Sequence, residues 1–279
     1  MVKVNFFYFL ISFSIALFCN SHALKKDSVQ ASPYQVVHSV QELKTALNQH
    51  QKETAWVIFD IFHTIADFTP PATHAKNKRT YKPWLKPLLK KLTHKQMQYA
   101  ISNYSKESSN LILIDKDFPS LIGQFQDIGI PVWALTTAVV SMDMWQNQKG
   151  NWLVEGLKKI HISFTKTAPH LKESEMHSEK KPKHPAFYID GILFTNGELG
   201  LKKGEALILA LKGCSKKPKK IIMVDDKEKN LLSMEKELHR YDASIDFTGI
   251  IYTVTHTPLM EEGAFKKYWL ERIEAAKKI

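Results

Sequence analysis

The chain has 279 residues, of which 44% are hydrophobic and 24% are charged, close to average globular usage. This composition excludes wholesale disorder, a collagen-like repeat and a protein that crosses a membrane many times. The 39 Lys and Arg residues outnumber the 28 Asp and Glu residues, giving a net charge of +11. Such an excess suits an anionic ligand, an anionic membrane surface or nucleic acid equally well.

Residues 1–23 have the pattern of a secretory signal peptide. Lys3 precedes an apolar run from Phe6 to Phe18, and Ser21 and Ala23 are the small residues that a signal peptidase requires. The run is short for a permanent membrane helix. We therefore expect cleavage, export to the bacterial periplasm or medium, and no stable membrane insertion of the mature chain. An uncleaved N-terminal anchor is the alternative.

The mature chain is predicted to have two parts, a polar N-terminal tail over residues 24–37 and a folded domain over residues 38–279. Cys214 is the only cysteine after residue 23, so no intramolecular disulfide is expected. Its surroundings favour a small apolar packing residue over a nucleophile.

Continuous apolar runs alternate with segments of helical spacing. Such runs are typical of strands buried on both faces of a parallel sheet, and the alternation predicts an α/β fold, a Rossmann-like three-layer sheet with right-handed crossovers. Helices are expected from Val40, with Ser39 as N-cap, over 228–241 and over 261–277. The predicted strands are Ala55–Phe59, Ile130–Leu135, Phe187–Phe194 with an Asp-Gly turn in its middle, Ile221–Val224 and Gly249–Val254.

Two segments interrupt this alternation. Residues 69–117 are rich in Pro and Lys and have helical apolar spacing, so they are predicted to form a small helical cap inserted after the first strand. Residues 165–185 are rich in Lys, His and Pro and are predicted to be a solvated loop. Their histidines lack the spacing of a helical zinc site.

Polar residues follow three of the predicted strands. Asp60 ends the first, Thr136 the second, and Asp225 and Asp226 the fourth. Because ligands of open α/β sheets bind outside the carboxyl ends of the strands, these side chains are expected to converge. Grouped carboxylates favour a divalent cation, and an all-oxygen ligand set favours Mg²⁺. An aspartate beside such an ion can attack phosphorus and form an aspartyl-phosphate.

Four motifs together carry a resemblance to a known family. The motifs are Val57–Thr64, Ala134–Thr136, Lys202–Gly204 and Ile221–Asn230. In order and spacing, over about residues 38–258, they are similar to the four motifs of the haloacid dehalogenase-like (HAD) superfamily. Gly191–Asn196, together with the signal peptide, resembles a secreted bacterial branch of that superfamily whose role is unassigned.

The resemblance implies a role for each matched residue. Asp60 would be the nucleophile and a Mg²⁺ ligand, and Thr136 would hydrogen-bond the phosphoryl group. Lys203 would neutralise its charge, with Lys202 as the alternative if the turn is shifted by one residue. The remaining implied roles are Mg²⁺ ligation by Asp225, Asp226 and the backbone carbonyl of Phe62, and bracing of the loop by Thr64.

The chain departs from the family at Phe62. Phosphatases of the family carry a second Asp there, which protonates the leaving oxygen and later activates water. General acid–base catalysis contributes typically about 10² to 10⁴ in rate, so a slow enzyme is expected. His63 and Asp67 are alternative proton donors, and members that cleave carbon–phosphorus bonds use a cap lysine instead. The cap lysines that leave that route open are Lys86, Lys90 and Lys91.

The sequence therefore predicts an exported, Mg²⁺-dependent HAD-like phosphohydrolase acting on a small phosphorylated substrate. The first alternative is a catalytically inactive relative that binds an anionic ligand or a partner protein. The second alternative is an envelope protein anchored in the membrane. No nucleic-acid partner is expected, because the Lys216–Lys220 run lacks interleaved aromatic residues.

Overall fold

The predicted alternation forms one eight-stranded, mostly parallel sheet with helices on both faces, which is a three-layer α/β fold. The structure is a computed structural model. It describes residues 32–50, 54–93, 96–97, 99–100, 110–138, 140, 151–171, 174–176, 178, 185–197, 200–253 and 258–279. The predicted signal peptide, residues 1–23, lies outside the described residues.

The strands are named in chain order. They are β1 (Gln35–Val37), β2 (Ala55–Phe59), β3 (Ala66–Phe68), β4 (Leu111–Leu113), β5 (Val132–Thr136), β6 (Ser174–Met176), β7 (Ala186–Ile189), β8 (Ile192–Phe194), β9 (Lys220–Asp225) and β10 (Asp246–Tyr252). The large sheet has the order β1-β10-β9-β2-β5-β8-β7-β6, and β3 and β4 form a separate antiparallel pair. The first six strands in this spatial order, β1, β10, β9, β2, β5 and β8, run parallel to one another. Strand β2 therefore lies at the centre of the sheet, between β9 and β5.

Helices cover both faces of the sheet, and the N-cap of the first is the predicted one, with Ser39 Oγ accepting from the Glu42 N–H at 3.2 Å. No helix among the described residues is long and apolar enough to span a membrane. The helices are α1 (Val40–Asn48), α2 (Ala75–Thr80), α3 (Lys82–Lys90), α4 (Phe118–Asp127), α5 (Trp152–Lys159), α6 (Lys203–Gly213), α7 (Glu228–Tyr241) and α8 (Glu262–Lys277).

The central strand β2 belongs to both hydrophobic cores. Val57 and Phe59 pack in the core formed with α1, α4 and α5, whereas Trp56 and Ile58 pack in the core formed with α6 and α7. Side chains alternate across a strand, so a continuous apolar run fills both layers. Burying each of these side chains contributes about 1.5–3 kcal/mol, which anchors the strand immediately before Asp60.

The segment predicted as a helical cap is bracketed by a strand pair. β3 and β4 pair antiparallel, so the insertion begins at Ala66 rather than at residue 69, and α2 and α3 lie within it. A third apolar cluster joins this insertion to the C-terminal helix, with Ala72 and Leu85 packed against Phe265 and Trp269 of α8.

The structure corrects two predicted boundaries and confirms a predicted turn. The polar tail was expected to reach residue 37, but β1 joins the sheet edge, where Val36 pairs with Ile251 of β10. The Asp-Gly turn predicted within Phe187–Phe194 is present: Asp190 and Gly191 have φ values of 49° and 76° and divide the run into an antiparallel hairpin. Within the predicted loop 165–185, β6 pairs with β7.

Candidate active site

Three aspartates and a lysine meet at the carboxyl edge of the parallel strands. Asp60 follows β2, Asp225 ends β9 and Asp226 follows it, and one carboxylate oxygen from each lies within 4.8 Å of the others. The edge is held by the sheet itself, since the Asp60 N–H donates to the Val224 carbonyl at 2.8 Å. The predicted convergence of these aspartates is therefore present.

Lys203 bridges two of these carboxylates. It is the first residue of α6, and its Nζ lies 2.7 Å from Asp60 Oδ1 and 2.6 Å from Asp225 Oδ2. All three side chains are almost completely buried. The neighbouring Lys202 is exposed and only precedes the helix, so Lys203 is the lysine that reaches the aspartates.

Asp225 is fixed by further hydrogen bonds. The Lys227 N–H donates to its Oδ1 at 2.9 Å, and Asn230 Nδ2 donates to Oδ1 at 2.8 Å and to Oδ2 at 3.0 Å. Asn230 lies in the first turn of α7, which begins directly after the two aspartates. The carboxylate therefore has a single supported orientation, the kind of outer support that positions a ligand group.

Asp226 is held by cations instead. Lys227 Nζ lies 3.1 Å from its Oδ1, and Arg79 of α2 lies 3.3 Å from its Oδ2. Arg79 belongs to the insertion and is 147 positions away in sequence. No spacing pattern could have identified it, because only the folded insertion brings α2 over the edge of the sheet.

Burial and charge set the protonation of the two central groups. Burial raises the pKa of the Asp60 carboxyl to about 7; Lys203 opposes the shift, and Asp225 and Asp226 reinforce it. For Lys203, burial works against the charge, but the attraction of Asp225 and Asp60 is stronger and holds its pKa above the usual range. The buried group of Asp60, Asp225 and Lys203 thus has one more acid than base.

The residues fit a hard divalent cation. Mg²⁺ prefers oxygen ligands at about 2.0–2.1 Å, and three carboxylates grouped within 4.8 Å supply oxygens at a compatible spacing. Lys203 compensates only part of their charge. Asp60, Asp225 and Asp226 are therefore the groups that would hold Mg²⁺.

Thr136 lies at the same edge without joining the cluster. It ends β5, the strand next to β2, and is 1% exposed. Its Oγ1 accepts from the Ala138 N–H at 3.2 Å, and the structure gives it no bond to the aspartates within the described residues. Its hydroxyl proton remains available for a ligand, which is compatible with the predicted role.

Phe62 directs its side chain into an aromatic cluster, defined here as Phe62, Phe68 and Trp152. The Phe62 and Phe68 rings stack with centroids 4.6 Å apart and an interplanar angle of 17°. Trp152 lies 6.1 Å from each of them at angles of 30° and 24°. An aromatic ring thus occupies the position, two residues after Asp60, at which the sequence resemblance led us to expect a carboxylate in an active phosphatase.

The two alternative proton donors are paired with each other. His63 Nδ1 lies 2.9 Å from Asp67 Oδ2, and Asp67 Oδ1 accepts from the Phe68 N–H at the same distance. His63 has a φ of 68°, so the chain turns out of the extended form at this residue. The Thr64 hydroxyl is buried and, among the described residues, has no partner; backbone bonds to the Ile61 carbonyl brace the loop instead.

The insertion contributes a lysine that sequence analysis did not identify. Lys78 of α2 is half-buried. Burial is the largest influence and lowers the pKa of its ammonium group; Asp67 and Asp226 raise the pKa and Lys227 lowers it, so that the net shift is downward. It therefore lies within the field of the site carboxylates. The three predicted cap lysines, by contrast, are exposed on α3 or directly after it: Lys86, Lys90 and Lys91.

The chain matches the model of one protein family and is similar to two proteins of Rickettsia. A family model described as "Protein of unknown function (DUF2608)" matches residues 36–267. An uncharacterized protein of Rickettsia felis is 26% identical over 167 residues, which is 58% of this chain and 53% of that protein. An uncharacterized protein of Rickettsia bellii is 28% identical over 160 residues, which is 56% of this chain and 52% of that protein. The chain spans about half the length of these curated relatives.

A solved structure also resembles the chain. The HAD domain of the Legionella pneumophila effector Lem4, an inactive mutant, is 14% identical with a TM-score of 0.38. The similarity covers 80% of this chain and 96% of that domain. Because the TM-score is low, no residue role is transferred from it.

Proposed function

The chain belongs to the DUF2608 family, described as proteins of unknown function, and we propose its activity from its own residues: Mg²⁺-dependent phosphoryl transfer in a HAD-like fold, with Asp60 as the nucleophile. One observation carries the proposal. Lys203 is buried between Asp60 and Asp225, and Asp226 completes the carboxylate group. Burying each of these charges costs several kcal/mol of desolvation. A buried group with excess negative charge therefore favours the binding of a cation, and the cation together with Lys203 can bind a phosphoryl group.

The first step needs only residues that the site brings together. An Asp60 carboxylate oxygen attacks phosphorus, the bond to the leaving oxygen breaks, and the leaving group departs with the electron pair. Lys203 offsets the charge on the phosphoryl oxygens, and Thr136 can donate its hydroxyl proton to one of them. A bound Mg²⁺ would supply Lewis-acid stabilisation of the same charge.

The lack of a carboxylate at position 62 limits both halves of the reaction. Phe62 cannot protonate the leaving oxygen, so efficient substrates are those whose leaving group is stable as an anion. In the second half, water attacks the aspartyl-phosphate and must lose a proton. The His63–Asp67 pair is the nearest described proton-transferring group in sequence, and we propose it as the acceptor. We expect the phosphorylated enzyme to accumulate.

The test is a burst assay with p-nitrophenyl phosphate. We expect a Mg²⁺-dependent release of one equivalent of p-nitrophenol, followed by slow turnover, and a gain of one phosphoryl group on Asp60 by mass spectrometry. Asp60→Asn should abolish both signals. Asp127→Asn, which alters an exposed aspartate on α4, serves as the matched control and should retain them. Release that persists in Asp60→Asn would disprove the nucleophile.

The binding protein is the second candidate, favoured by the aromatic ring at position 62 and by the cations that already contact Asp226. It predicts that beryllofluoride and Mg²⁺ bind the protein without any burst. Export stays part of the proposal on the strength of residues 1–23, and a mature N-terminus at Leu24 would support it. A retained N-terminus would favour the anchored alternative.

A further inference from the structure

The aromatic cluster is built by three separate parts of the chain. Phe62 comes from the loop after β2, Phe68 from β3 and Trp152 from the start of α5. All three side chains are half-buried, with part of each packed against the core beneath the sheet and part left at the surface. Three partly exposed rings from different elements thus form one apolar surface at this point.

This surface adjoins the nucleophile. Phe62 is two residues after Asp60, and its backbone forms an isolated bridge to Ala66, which keeps β3 folded back against the same loop. The ring of Phe62 therefore lies where the chain leaves the buried edge of the sheet. Because two residues span at most roughly 7 Å of chain, the Phe62 backbone lies within that distance of Asp60, the residue at which a phosphate would be held.

We propose that the aromatic cluster binds the ring of an aryl phosphate monoester, an inference that rests on the phosphoryl transfer proposed above. Two independent observations lead to this class of substrate. Stacked aromatic side chains bind flat rings, by offset stacking or edge contacts. The absence of a proton donor at position 62 favours a leaving group that is stable as an anion, and a phenoxide satisfies this far better than an alkoxide.

The proposed step is balanced without another reactant. The Asp60 oxygen forms a bond to phosphorus, the bond between phosphorus and the aryl oxygen breaks, and the phenoxide leaves with the electron pair. The phenoxide then takes a proton from solvent. Water later cleaves the bond between phosphorus and Asp60, which releases phosphate and restores the carboxylate.

A matched pair of substrates separates ring binding from leaving-group acidity. Phenyl phosphate is compared with hexafluoroisopropyl phosphate, whose alcohol is about as acidic as a phenol but has no ring. We expect kcat/KM to favour phenyl phosphate by about tenfold or more. Equal values for the two substrates would overturn the proposal. A phosphotyrosine peptide forms a third arm: a higher kcat/KM than for phenyl phosphate assigns the ring to a protein side chain, and a lower one to a small molecule.

Variants of the cluster supply the second test. Trp152→Leu and Phe68→Leu should each lower the preference for phenyl phosphate roughly 2- to 10-fold, with little effect on hexafluoroisopropyl phosphate. Trp84→Leu is the matched control, because Trp84 is a half-buried tryptophan of α3 that packs against Phe265 of α8. An equal fall for both substrates in the cluster variants would show a structural role only and would contradict the proposal.

A binding measurement distinguishes failure of this inference from failure of the proposed function. Phenylphosphonate and methylphosphonate cannot undergo the reaction, and their affinities for the wild-type protein with Mg²⁺ are measured by calorimetry. If neither ester is turned over, the proposed function fails, but tighter binding of phenylphosphonate still supports the ring site. Equal affinities of the two phosphonates would refute the ring site whatever the activity.

Discussion

Lys203 Nζ lies 2.7 Å from Asp60 Oδ1, and this buried ion pair connects the stability of the fold to the chemistry of the site. We expect Lys203→Met to destabilise the protein by about 3–5 kcal/mol in the absence of Mg²⁺, because it leaves buried carboxylates without compensation. Thermal unfolding with EDTA measures the loss. Lys202→Met, at the exposed neighbouring lysine, is the control and should unfold like the wild type. Equal unfolding of both variants would show that Lys203 does not compensate the cluster.

The pKa of Asp60 gives stability a defined dependence on pH. Its folded pKa of about 7 exceeds the ordinary value near 4, so between these values the folded protein holds a proton that the unfolded chain has released. Stability from this group is therefore present at low pH and is lost as the pH rises through 7.

Asp60→Asn removes this dependence because the amide does not titrate. With EDTA, we expect the Tm of the variant relative to wild type to rise by several degrees between pH 5 and pH 8; about 1 kcal/mol corresponds to about 2–4 °C at this size. Differential scanning calorimetry at both pH values checks it. A Tm difference that stays constant would mean that Asp60 is ionised in the folded protein throughout this range.

Restoring a carboxylate at position 62 tests what the aromatic ring costs in rate. We expect Phe62→Asp to speed the slow phase after the burst by at least about tenfold, because it returns a group that can activate water. Stopped-flow measurement with p-nitrophenyl phosphate resolves the two phases. Phe62→Asn loses the ring without gaining a proton acceptor, so its slow phase should not accelerate. Acceleration in both variants would show that the ring obstructs the site sterically.

Asn230 supports Asp225 rather than contacting a ligand. We expect Asn230→Ala to weaken Mg²⁺ binding about 10- to 100-fold, since outer groups that orient ligands have effects of this size. Isothermal titration with MgCl₂ gives the affinities. Arg79→Ala is the contrasting variant, because it removes an exposed cation from Asp226 and should not weaken binding. A wild-type affinity in Asn230→Ala would exclude a supporting role.

The edge of the sheet that carries the three aspartates was largely predictable from sequence. An apolar run that ends on Asp60, and another that ends on Asp225, indicate parallel strands whose carboxyl ends meet, and this rule needs no tertiary information. The helix start at Ser39 was equally local, because a capping hydroxyl bonds an amide three residues ahead.

The remaining features depend on contacts that sequence patterns do not encode. The three-residue strand β1 was too short to separate from a polar tail. Arg79 reaches Asp226 across most of the chain, so only the packing of the insertion could identify it.

The C-terminal helix α8 packs against the insertion that contributes Arg79 and Lys78 to the candidate site. Phe265 and Trp269 of α8 pack against the insertion, and Tyr81, two residues after Arg79, donates its hydroxyl to the Met260 carbonyl just before that helix. A truncation that removes α8 would therefore loosen the segment that delivers Arg79 and Lys78. Tags or deletions at the C-terminus should accordingly be judged by their effect on turnover of p-nitrophenyl phosphate as well as on solubility.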